Sequence, residues 1–106
     1  MPTKSRLEQI EAMLHDEPND PELRYALAME YMSQGNDAQA VKCFEETFAI
    51  APNYPAAYHQ AGRALQRLGH FDQARDVLLR GISAARVAGN DHAAGEMLEL
   101  LDNLVV

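Results

Sequence analysis

The stretch Ala51–Gly62 reads APNYPAAYHQAG, and Glu17–Ala28 reads EPNDPELRYALA. Pro52, Asn53 and Pro55 repeat Pro18, Asn19 and Pro21 at a shift of 34 positions (18 to 52). The same shift carries Gly35 onto Gly69, Gln39 onto Gln73 and Ala40 onto Ala74. Apolar positions follow: Tyr31 onto Leu65, Phe44 onto Leu78, Phe48 onto Ile82. Self-similarity at a fixed period means one supersecondary unit written twice, which cannot bury its apolar face alone and must stack.

Each unit carries the punctuation of two helices. Pro21 and Pro55 stand where a helix starts, because the first turn needs no intrahelical N–H and proline's φ is already helical. Asp20 suits an N-cap ahead of Pro21, and Asn53 caps or turns the chain one residue earlier in the second unit. Gly35 and Gly69 end the first helix in a left-handed cap. Asp37 and Asp72 open the second near its positive end. Leu23, Leu27 and Tyr31, then Ala40, Phe44 and Phe48, recur at helical spacing, and no alternating β-runs occur. The expected fold is all-α, built of helical hairpins.

Composition sets the outer limits. At 106 residues the chain is one domain in length, and 47% hydrophobic with 24% charged residues is folded-protein usage. No apolar run approaches the ~20 residues that cross a bilayer, and the opening MPTKSRLEQIEAMLHDE has no signal-peptide core, so the expected location is cytoplasmic. Net charge is −7, which opposes nucleic acid and anionic membrane surfaces as partners. The charge is uneven. Residues 55–88 hold Arg63, Arg67, Arg75, Arg80 and Arg86 against Asp72 and Asp76, between acidic flanks.

With the period in place, the two units resemble the tetratricopeptide repeat family, whose pattern is W-x2-L-G-x2-Y, A-x3-F, then P at a 34-residue period. The first unit matches through Leu27, Ala28, Tyr31, Ala40, Phe44 and Pro52, the second through Tyr58, Ala61, Gly62, Leu65, Ala74 and Leu78. It departs at Arg24, where the family has a large aromatic, at Thr47 and Gly81, where it has a small alanine, and at Arg86, in place of the closing proline. Without that proline the second helix of unit two should run on to Gly89–Asn90, with Asp91 capping a last helix whose apolar face is Ala94, Met97, Leu98, Leu101 and Leu104. That helix fits the repeat only with a two-residue slip. Upstream, Leu7, Ile10, Met13 and Leu14 make an amphipathic helix.

The resemblance then implies a right-handed solenoid of about six antiparallel helices in a single domain. Its parts are an N-terminal helix over 4–16, repeats over 21–52 and 55–88, and a capping helix over 91–104. It also implies a protein–protein interaction module whose concave groove, lined by first helices, receives a peptide or partner segment. Groove positions carried over are Glu22, Tyr25, Met29 and Met32, then Ala56, His59, Arg63, Gln66 and Arg67, with His92, Glu99 and Asp102 from the slipped last helix. The family's lysine/asparagine/arginine carboxylate clamp is absent, its places holding Tyr25, Met29 and Gln60.

Two readings stand for these side chains. Tyr25, Met29 and Met32 are adaptable apolar contacts for a partner, or they pack on the N-terminal helix or a second copy. Arg63 and Arg67, four residues apart, either receive a partner's carboxylate or pair internally with Glu99 and Asp102 in an exposed contact of ~0–1 kcal/mol. The alternative function is structural: a homodimer or larger homo-oligomer formed through the end helices.

Catalysis has little support. The lone Cys43 excludes an internal disulfide and has no activating base near it. His15, His59, His70 and His92 lack metal-ligand spacing. No phosphate loop or nucleophile–base order can be assembled, so neither enzyme activity, metal nor cofactor is expected.

Overall fold

The computed structural model describes residues 5–104, and they form six helices with no strand among them. These are α1 (Arg6–Asp16), α2 (Pro21–Ser33), α3 (Asp37–Ile50), α4 (Pro55–Arg67), α5 (Phe71–Val87) and α6 (Asp91–Asp102). Lys4, where the sequence starts the first helix, and Val105 and Val106 lie outside the described residues.

The caps explain where the helices begin. Ser5 and Glu8 make a reciprocal capping box at the start of α1. The Asp20 carboxylate accepts from the backbone N–H groups of Glu22 and Leu23, with Pro21 at the first helical position. Asn36 caps α3 and Asn90 caps α6, each side chain accepting from the N–H three residues on. Asp91 is thus the first helical residue of α6 and not its cap. At α4 the N-cap is Tyr54, without a side-chain bond, and Asn53 lies in the preceding turn.

Helices α2, α4 and α5 end by a common device. Gly35, Gly69 and Gly89 have φ of 78°, 79° and 73°. The following N–H bonds back to Tyr31, Leu65 and Ala85 respectively, the left-handed helix stop that glycine adopts without strain. With Arg86 where a proline would stand, α5 extends to 17 residues before Gly89 ends it.

Successive helices pack on one another in order, and α4 also touches α6. The radius of gyration is 14.2 Å, above the ~13 Å of a compact chain of this length, and the extents are 48 × 28 × 18 Å. This is a stacked solenoid with a continuous core. Phe44, Leu78 and Met97 are fully buried in it, with Ile10 and Leu14 closing one end and Leu104 the other. Leu23 and Tyr31 are half-buried, while Ala28 and Met32 share the core with Leu27.

Candidate binding groove

The two proline joints orient the groove helices. Arg24, the departure from an aromatic, donates through Nε and Nη2 to the Pro18 carbonyl at 3.0 and 2.8 Å. Tyr58, one repeat on, donates its hydroxyl to the Pro52 carbonyl at 2.8 Å. Two unlike side chains therefore close the same joint, each tying a first helix to the turn before it. Arg24 also pairs with Glu46 of α3 at 3.1 Å. The Tyr58 ring stacks on Phe48 at 4.2 Å between centroids, so the second joint is locked to the core.

On the open side, α2, α4 and α6 stand in a row. Between α4 and α6 lies a hollow of about 600 Å³, bordered by Tyr54, His59, Gln60, Arg63, Ala93 and Glu96. It continues past Glu99, Leu100 and Asn103. Across α4, a third hollow is lined by Met29, Met32, Gln60, Arg63 and Arg67. Arg63 borders all three.

The residues picked out from sequence distribute as follows. His59, Arg63 and Arg67 line the hollows, as does Met29. Met32 is 6% exposed and offers the groove an edge while its bulk packs in the core. Tyr25 is half-buried, its ring 5.7 Å from Phe44 and 5.3 Å from Tyr54, so it supports Tyr54 from behind. Gln66 is half-buried and borders none of these hollows. Gln60 and Glu96 are groove residues that sequence spacing did not single out. In the sequence Gln60 stands only at a place of the missing clamp, and the place of Glu96 depends on the α6 register.

The electrostatics separate the two arginines. Arg67 Nε meets Asp37 Oδ2 at 3.2 Å, so its internal partner is Asp37 rather than Glu99 or Asp102. Asp37 Oδ1 is buried without a hydrogen-bond partner. Arg63 makes no ion pair among the described residues, and its one polar contact is Gln60 Oε1 at 3.4 Å. His59 is held below the ordinary histidine range, first by burial and then by the Arg63 charge, against the pull of Glu96. It is therefore neutral at pH 7, able to donate from one ring nitrogen and accept at the other.

Elsewhere the chemistry is quiet. The Cys43 thiol is buried, and burial, with Glu46 next, pushes its pKa up to about 11. No cluster of three metal-ligating side chains occurs among the described residues. No described helix is long and apolar enough to cross a membrane.

Comparison with known proteins agrees with this architecture. The family model for the anaphase-promoting complex, cyclosome, subunit 3 matches residues 4–81. A TPR repeat-containing protein of Pseudomonas aeruginosa is 28% identical over 92% of this chain and 93% of its own length. The tetratricopeptide repeat domain protein of Salinibacter ruber, solved in solution, is 34% identical with a TM-score of 0.72, over 79% of this chain and 85% of that one. A solved Bordetella parapertussis protein is 25% identical with a TM-score of 0.83, over 96% of this chain and 89% of that one. PcrH, solved in complex with the chaperone binding region of PopD, has a TM-score of 0.87 over 92% of this chain and 74% of its own. At 17% identity that likeness is one of fold alone.

Proposed function

The chain belongs to the tetratricopeptide-repeat family, and on that premise we propose that its α2–α4–α6 face binds a segment of a partner protein. The observation that carries this reading is Arg63, an exposed guanidinium that has no ion pair among the described residues and borders every hollow of the groove. Its fork suits a carboxylate or paired carbonyl oxygens. Beside it Gln60 and neutral His59 both donate and accept, which fits a peptide backbone. Toward α2, Met29 and the edge of Met32 supply an adaptable apolar subsite. Toward α6, Glu96 and Glu99 supply an acidic wall. The ligand is then an extended or helical segment with an apolar anchor, an acidic or carbonyl-rich centre at Arg63, and a basic residue near Glu96 and Glu99.

Panning of a random peptide library against the purified protein tests this, with titration calorimetry on the enriched sequences. Arg63→Ala should weaken binding by about tenfold or more, the loss expected for a charge-assisted contact. Arg75→Ala, on α5, should leave it unchanged. Enriched peptides whose affinity ignored Arg63→Ala and Met29→Ala would refute the assignment.

A further inference from the structure

We propose that the outer face formed by α3 and α5 is a self-complementary docking surface for a second copy of this chain. The inference does not depend on the groove. It starts from the repeat. One repeat carries Lys42 of α3 onto Asp76 of α5, and Glu46 of α3 onto Arg80 of α5. The same outward places on the two helices thus bear opposite charges. All four side chains are exposed. Lys42 and Asp76 are exposed and form no ion pair among the described residues, which leaves both charges open to a partner there.

The other two are positioned. Arg80 lies over the Phe48 ring at 5.1 Å and the Tyr58 ring at 5.8 Å, which holds its guanidinium at one place on the surface. Glu46 holds Arg24 and keeps half its side chain open. Between the charged positions the helices also differ in shape. Leu79 of α5 is 51% exposed, an apolar knob on a charged face. On α3 the corresponding region is a shallow hollow lined by Gln39, Lys42, Glu45, Glu46 and Ala49.

Both helices are second members of hairpins and run in the same direction. A two-fold axis parallel to them would set α3 of one copy against α5 of the other, parallel and level. Each contact is then made twice, as a closed two-fold dimer requires. Lys42 meets Asp76, Glu46 meets Arg80, and Leu79 enters the α3 hollow of the opposite copy. Packing α3 on α3 would instead bring Glu45 and Glu46 against their own copies. Because the complementarity is between one chain's own repeats, the occupant it fits is this chain. The net charge of −7 on each copy opposes association, so the dimer is a weak one, with Kd on the order of tens of micromolar.

Sedimentation equilibrium over roughly 5–500 µM, a span chosen to bracket that affinity, gives the test. The expected result is a monomer–dimer equilibrium that Leu79→Asp abolishes. Lys42→Asp and Asp76→Lys should each raise Kd by about tenfold or more. The double charge swap should restore it to within about threefold. All three sites are exposed, and circular dichroism checks that the variants keep their helices. A monomer across the range overturns the proposal, as does a double swap without rescue. So does a dimer that survives Leu79→Asp or is lost on Met13→Asp in α1, since either result puts the interface elsewhere.

Discussion

Two glycines inside helices answer opposite demands. A Cβ added to Gly81 of α5 would lie 2.4 Å from the Tyr58 Cβ and 2.6 Å from the Met97 Sδ. The first of these atoms is fixed to the α4 backbone and cannot swing aside, so the missing methyl lets α4, α5 and α6 come together. Gly95 of α6 has nothing within 4 Å of such a Cβ. Gly81→Ala should therefore lower stability by about 1–2 kcal/mol, overpacking outweighing the gain in helix propensity. Gly95→Ala should raise it by about 0.5–1 kcal/mol. Urea midpoints decide both, and a stabilising Gly81→Ala would mean that the three helices separate more easily than their packing indicates. His59 makes a pH-dependent contribution at the same scale. Its folded pKa lies below the ordinary value of 6.5, so the unfolded chain takes up the proton first as pH falls. Its neutral-state contribution is present above pH 6.5 and is lost as pH falls toward the depressed folded pKa. His59→Gln should flatten that part of the stability profile. An NMR titration of the His59 ring with a midpoint at or above 6.5 would contradict the sign.

Helix starts show the next level of organisation. His70 opens α5 with φ −89° and ψ 68°, close to Asn36 at −91° and 71° and Asn90 at −97° and 77°. Both asparagines accept a backbone N–H, whereas His70 makes no side-chain cap bond. His70→Asn should thus stabilise by about 0.5–1.5 kcal/mol, while Asn90→Ala should cost a similar amount. Thermal melts of the pair read the difference, and no gain from His70→Asn would show that the cap geometry does not recruit the side chain. These joints are also where the sequence is most informative. Proline, asparagine and glycine act through their own backbone preferences, so their 34-residue echo is visible without coordinates. The role of Arg24 is not visible in that way. Its identity breaks the aromatic pattern, and only the fold shows that it reaches the carbonyl equivalent to the one Tyr58 takes. The groove divides similarly. Arg63 and His59 follow from counting along α4, whereas the Arg67–Asp37 pair joins helices whose relative height no spacing encodes. Met32 reaches the core because α2 presents Leu27, Ala28 and Met32 inward rather than a strict every-fourth stripe.

For the whole molecule, stacking predicts unequal stability along the chain. Each interior helix is sandwiched between neighbours, whereas α1 packs chiefly on α2, with Ile10 and Leu14 as its buried anchors. The Arg6–Glu30 ion pair that joins them, 3.4 Å long, leaves the arginine side chain 71% exposed and adds little. At the other end α6 is held on α5 and α4 through Ala94 and the fully buried Met97, a broader attachment than that of α1. In a nearest-neighbour array the opening free energy of a terminal unit is its own stability plus one interface, and interior units open only with the global transition. Native-state hydrogen exchange should therefore rank α1 as the first helix to open, α6 next, and α3 with α4 and α5 last. Ile10→Ala should speed α1 exchange by an amount matching a loss of about 2–4 kcal/mol, bounded by the α1 opening energy itself. It should leave α6 amides, which exchange through an opening in which α1 stays docked, nearly unchanged. Equal exchange free energies in all six helices would show instead that the chain opens as one cooperative block. The groove between α4 and α6 would then be as rigid as the core beneath it. Under the expected order, α6 is the wall that yields, and a groove ligand that bridges α4 and α6 should slow α6 exchange before it slows any other helix.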